Sequence, residues 1–483
     1  MKKLSKPPWQ ILLLGSGIMI ILTYMSISLL LHQLHHSPLP PVQGVPILPK
    51  QFHTIGGNTK PVTVTQGSIS ASVQLGNTMI STKDGKAYML ITLKGNDTAP
   101  QPLKERQPMD LSIVIDRSGS MNGEKLDSVK RSLQMLASQL RTSDYISLVI
   151  YDSEVATVFK GNFDKESFLS AVSRVQSGSM TNLVGGLEEG MKNILPIFPN
   201  GRLHHVILLS DGLANVGESS PDGLAHLVEH YRLSNITVST IGVGVDYDEN
   251  IMTRVAIAGN GNYYFMERPD DAENIFAKEF DSVSNTVAKD LKVEFHLGSM
   301  QVIRGIGYEL KDSIRFFPHD LTAGKSSTYI FEVQARDLQV STQSFSPGEL
   351  TIYFNDVKTS ITQSIRLPLM FDGITSTEIN PLSDIAVYNA FMNGYIADTL
   401  WNVDLDLQKV QNKEAKSKID LLYQDVQQAN IRTNGGYSSQ ITKLEEKRTF
   451  IYNQGTININ STTVGKQFKK MNQADSFGVR YSR

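Results

Sequence analysis

Residues 110–121 read DLSIVIDRSGSM. The apolar run LSIVI stops abruptly at Asp116, and Ser118 and Ser120 follow at alternate positions, spaced by Arg117 and Gly119. A strand that is apolar at successive positions is buried on both faces, as in a parallel sheet covered by helices. ISLVIY (146–151), HVILLS (205–210) and ITVSTIGVG (236–244) are runs of the same kind. Between them lie EKLDSVKRSLQMLASQL (124–140) and TNLVGGLEEGMKNIL (181–195), with apolar residues three and four apart, the spacing of amphipathic helices. Strand and helix alternate from 108 to 289, which predicts a doubly wound, Rossmann-like α/β domain.

The flanks read differently. Residues 62–107 carry a β pattern, with Ile69, Ala71, Val73 and Leu75 alternating with polar residues. The pattern returns over 290–372, in LKVEFHLG, SSTYIFEVQAR, ELTIYFND and ITQSIRLPL. One β-sandwich built from both flanks, with the α/β domain inserted, is the economical arrangement; two separate β modules fit nearly as well. Residues 380–432 predict a helical hairpin, and 433–483 read as a polar C-terminal tail, partly disordered by composition.

The chain has 483 residues, 40% hydrophobic, with a net charge of −2, which implies several domains and gives no electrostatic reason for nucleic acid. Cysteine is absent, which excludes disulfides, thiolate metal sites and cysteine nucleophiles. Residues 10–31, QILLLGSGIMIILTYMSISLLL, are uncharged and about long enough to span a bilayer as a helix. Lys2, Lys3 and Lys6 precede them, and no Lys or Arg follows until Lys50, so residues 1–9 are expected in the cytoplasm and the bulk of the chain outside it. A cleaved signal peptide is the weaker alternative, because its apolar region is shorter. Residues 32–61, rich in Pro at their start, read as a spacer in which His32, His35 and His36 are incidental.

In a doubly wound sheet, ligands sit beyond the carboxyl ends of the strands. Asp116, Ser118 and Ser120 stand at that end of one strand, Asp211 at the same end of another, and Thr181 in a third loop before a helix. Two carboxylates and three hydroxyls, with no nitrogen or sulfur donor, suit a hard cation: Mg²⁺ first, then Mn²⁺ or Ca²⁺.

DRSGSM, Thr181 in MTNLVGGL and Asp211 in LLSDG together resemble the complete metal-ion-dependent adhesion site of von Willebrand factor type A (VWA) domains. The resemblance implies that Ser118 and Ser120 ligate the metal directly. It implies that Asp116 and Asp211 act directly or through water, and that Thr181 joins conditionally. It also implies an open position filled by a carboxylate of a protein partner and a coupling to the domain's last helix near 270–288. The sequence shows no nucleophile–His–acid set and no phosphate-binding loop, so no enzyme activity is expected. A weaker resemblance, carried by VAKDLKVEFHLG (287–298) and by layout, is to inter-alpha-trypsin inhibitor heavy chains and calcium-activated chloride channel regulators. The expected function is a membrane-anchored, extracytoplasmic binding protein. An adaptor for an ATPase or chaperone machine is the alternative if the domain faces the cytoplasm.

Other signals are weaker. HLVEH (His226, Glu229, His230) matches an inverted zinc-protease motif, yet the surrounding apolar spacing is that of a surface helix. AGKSS (323–327) lacks the earlier glycine of a phosphate loop, since His319 stands there. GVDYDEN (244–250) has Asp246 and Asp248 but no closing Glu at calcium-loop spacing, so a helix N-terminal turn is expected.

Overall fold

The computed structural model describes residues 59–96, 106–195, 202–308, 310, 314–409, 411–453 and 463–480. The apolar segment 10–31 lies outside them, and among the described residues no helix is long and apolar enough to cross a membrane.

Four strands come first: β1 (Val62–Gln66), β2 (Ile69–Leu75), β3 (Met79–Ser81) and β4 (Lys86–Gly95). In β2 the alternation puts Ile69, Ala71, Val73 and Leu75 inside. The α/β domain follows as β5 (Met109–Asp116), α1 (Glu124–Leu136), β6 (Tyr145–Tyr151), β7 (Val155–Asn162), α2 (Lys165–Ser173), α3 (Leu183–Asn193) and β8 (Leu203–Ser210). It continues through α4 (Pro221–Arg232), β9 (Ile236–Val243), α5 (Glu249–Ala258), β10 (Asn260–Met266) and α6 (Asp271–Ser284). The sheet order is β10-β9-β8-β5-β6-β7, parallel except for β7. Strands β5 and β8 are buried at every position, because helices cover both faces. Ile113 and Ile115 face a core filled by Leu126, Val129, Leu133, Phe276 and Phe280 of α1 and α6. Val114 faces the other, filled by Leu187, Leu224, Val228 and Val255 of α3, α4 and α5.

The chain then forms β11 (Thr286–Leu297), β12 (Met300–Ile306), β13 (Arg315–Phe316), β14 (Leu321–Thr322), β15 (Ser326–Ala335), β16 (Phe345–Asp356), β17 (Ile361–Phe371) and β18 (Gly373–Thr375). One sheet has the order β1-β2-β4-β15-β12 and the other β13-β11-β16-β17, with β14 on β11; β3 and β18 pair separately. Ile91, Phe295, Phe331 and Ile352 belong to one core between the two sheets. The flanks therefore form a single sandwich, and the α/β domain is inserted between β4 and β11.

Helices α7 (Ile385–Gln408), α8 (Asn412–Arg432), α9 (Ser438–Asn453) and α10 (Thr463–Arg480) complete the chain. The Asp384 carboxylate caps α7 by accepting the N–H groups of Ala386 and Val387, and Phe391 of α7 meets Tyr88 of β4 edge-on at 5.3 Å.

The expectation of a polar tail over 433–483 is corrected here, since that segment carries α9 and α10. Its polarity misleads because Lys470, Asn472, Gln473 and Ser476 are themselves buried. A buried polar side chain is tolerated when it is partnered. Lys470 Nζ donates to Glu249 Oε2 and to the Tyr247 carbonyl, both at 2.7 Å, and Asn472 donates to Asp404 of α7 at 3.0 Å. Helix α10 thereby straps the helical region to the α/β domain, and Phe477 enters the α/β core beside Tyr263.

Candidate metal centre

The site begins where β5 ends. Asp116 is fully buried. Its Oδ1 accepts the Ser118 N–H at 2.8 Å, turning the chain out of the sheet, and its Oδ2 accepts the Ser210 hydroxyl at 2.8 Å. Burial pushes its carboxyl above the usual carboxylate range; the bonds from Ser118 and Ser210 oppose that rise, and nearby Asp211 adds to it. The turn lets Ser118 and Ser120 converge, with their oxygens 3.1 Å apart. Ser120 then donates to Asp211 Oδ1 at 2.7 Å, which joins the loop after β5 to the loop after β8.

Thr181 comes from the loop before α3. Its N–H donates to the Asn215 side chain at 2.9 Å, and the Asn215 N–H donates back to its carbonyl at 3.1 Å. Gly212 shows how the hydroxyls converge. A methyl built there would stand 3.2 Å from Thr181 Oγ1, 3.7 Å from Ser120 Oγ and 3.9 Å from Ser118 Oγ. All five residues expected from the sequence are thus gathered around one spot, three neutral hydroxyls and two carboxylates.

Sequence reasoning missed the supporting residues. Asp152 receives Arg117 at 3.1 Å and the Ser179 N–H at 3.3 Å, fastening the Thr181 loop to the Ser118 loop. Gly178 is required beside it, because a Cβ there would fall on the Asp152 carboxylate. Ser210, inside the quoted HVILLS run, holds Asp116, and Lys125, in the helix start EKL, donates to Asp211 Oδ2 at 2.6 Å. Only the adjacency of Ser210 to Asp211 offered a signal.

The donor set fits a hard divalent cation, being oxygen throughout with few anionic groups, so a bound ion keeps residual positive charge. Among the described residues no three His, Cys, Asp or Glu side chains are grouped to hold a metal.

The competing motifs fall elsewhere. His226, Glu229 and His230 lie on α4, whose Leu224, Val228 and Tyr231 face inward. The side chains of His226 and Glu229 are 77% and 45% exposed and 3.6 Å apart. Asp248 caps α5 through the N–H groups of Asn250 and Ile251. Residues 323–325 form the turn between β14 and β15.

A parallel sheet sandwiched by helices, with its loops carrying DxSxS, Thr and Asp at the carboxyl ends, defines a VWA domain. The family model described as the von Willebrand factor type A domain matches residues 110–278, and this chain carries a domain of that family. The chain is 33% identical over 243 residues to the uncharacterized protein YfbK of Escherichia coli (strain K12), covering 48% of this chain and 42% of YfbK. It is 26% identical over 207 residues to human inter-alpha-trypsin inhibitor heavy chain H3, covering 41% of this chain and 23% of H3. The matches thus span less than half of either relative. In fold it resembles a von Willebrand factor type A protein from Catenulispora acidiphila (TM-score 0.62, 14% identity, 79% of this chain and 91% of that one). It also resembles the ArnB paralog VWA2 from Sulfolobus acidocaldarius (TM-score 0.55, 16% identity, 84% and 98%). Domains of this family commonly bind a divalent metal and generally mediate protein–protein contacts.

Proposed function

We propose that Asp116, Ser118, Ser120, Thr181 and Asp211 bind Mg²⁺, with Mn²⁺ or Ca²⁺ as substitutes, and that the ion captures an acidic group of a protein partner. The observation that carries this reading is the convergence of three hydroxyls beside Gly212, with the two carboxylates bonded into the same cluster. Neutral donors leave the ion electrophilic, and a carboxylate is the matching ligand. Residues 10–31 would anchor the chain in a membrane with the domain on the extracytoplasmic side, where adhesion or envelope assembly would be its task. Calorimetric titration of Mg²⁺ and Mn²⁺ into the wild-type chain and the Asp116→Ala variant tests the reading. Saturable binding lost in the variant supports it, and no binding by the wild type rejects it.

A further inference from the structure

Lys125 stands in the first turn of α1, and its ammonium reaches back to the cluster. Asp211 Oδ2 accepts from Lys125 Nζ at 2.6 Å while Oδ1 accepts from Ser120 at 2.7 Å, so both oxygens of that carboxylate are engaged. The lysine side chain is 30% exposed and the Asp211 side chain is fully buried. Gly244, just past β9, borders the lysine: a methyl there would sit 3.4 Å from both Cε and Nζ of Lys125, in ordinary contact. Two residues further on, Asp246 also attracts Lys125, and it pairs with Lys466 of α10 at 2.9 Å. The ammonium is therefore bonded to one carboxylate inside the cluster and feels the charge of a second outside it.

We propose that Lys125 is a tethered counter-ion that a divalent cation must displace from Asp211, so that this single residue sets the affinity of the site for metal. The inference rests on the reading of the site given above. An ammonium bonded to a prospective ligand competes for the same oxygen and repels an arriving dication at short range. Displacement toward Asp246 removes the competition and keeps the ammonium near a carboxylate, which it would share with Lys466. A lysine whose role was only to fasten α1 to the loop after β8 would give a different outcome, since its removal would loosen the fold and leave metal affinity equal or lower.

Two measurements on the full chain test the assignment. In the first, Mg²⁺ and Mn²⁺ are titrated calorimetrically into wild type, Lys125→Gln, Lys125→Arg and Asp116→Ala. Lys125→Gln is expected to bind about tenfold more tightly, equivalent to about 1.4 kcal/mol, with the charge-preserving Lys125→Arg close to wild type. Equal or weaker binding by a folded Lys125→Gln overturns the proposal. In the second, which needs no Lys125 variant, Lys125 acetylation by acetic anhydride is followed by mass spectrometry with and without Mg²⁺. Faster labelling with Mg²⁺, absent in Asp116→Ala, supports displacement, and an unchanged or slower rate contradicts it. If the wild type binds no metal, the reading of the site itself falls, and this inference with it.

Discussion

Replacing Phe477 by alanine tests whether the end of the chain belongs to the α/β core. Phe477 is 1% exposed and lies in the core that also holds Val238, Tyr247 and Tyr263, its ring 5.5 Å from Tyr263 and steeply tilted to it. Truncating a buried Phe costs about 3–5 kcal/mol through lost burial and the cavity left behind, and about 0.5–1.5 kcal/mol of that class of effect attaches to an edge-to-face aromatic pair. We therefore expect Phe477→Ala to lower the unfolding free energy of the α/β domain by about 3 kcal/mol or more. Urea denaturation followed by circular dichroism reads the loss. Hydrogen exchange should report faster opening in α10, α5 and β10 together. A loss below about 0.5 kcal/mol, typical of a surface substitution, would refute the packing of α10 against the domain.

Three further expectations follow from named contacts. Burial pushes Asp404 up to about 7 and the charge of Glu249 adds to the rise, while Asn472, Lys447 and Lys469 oppose it. The folded chain then holds a proton there between about pH 4 and 7 that the unfolded chain has released, so stability falls as pH rises across that window, by at most about 1.4 kcal/mol per pH unit. Asp404→Asn should flatten this slope between about pH 5 and 7 in urea titrations; an unaltered slope would exclude Asp404 as its source. Ser210→Ala removes the 2.8 Å bond to Asp116 Oδ2; it should cost about 1–2 kcal/mol and weaken Mg²⁺ binding in calorimetry, whereas wild-type affinity would show that the bond does not position Asp116. The triple variant His226→Ala/Glu229→Gln/His230→Ala should stay within about 0.5 kcal/mol of wild type with no change in zinc content, and zinc lost on substitution would reopen the metalloprotease motif.

The α/β domain was legible because burial on both faces leaves uninterrupted apolar runs, as at Leu111–Ile115 and Val206–Leu209. The five site residues were legible because each follows a strand or precedes a helix at a position that could be counted. Strand pairing was not. The register of Ile91 with Tyr329, which makes one sandwich of two distant segments, is a tertiary choice that neither segment encodes locally. Helix α10 was hidden for a different reason. Lys470 is buried over the Tyr247 ring with Glu249 as its partner, and composition records the lysine but not the partner. Lys125 was likewise an ordinary residue of an amphipathic helix until its ammonium was found on Asp211.

The insertion of the α/β domain between β4 and β11 has a mechanical consequence. Strand β4 lies between β2 and β15 in one sheet, and β11 is hydrogen-bonded along β16 in the other. A pull on the α/β domain would leave it through both chain connections and through the α10 strap, loading one strand in each sheet. A tethered chain of this design would resist load by the shared strength of two sheets.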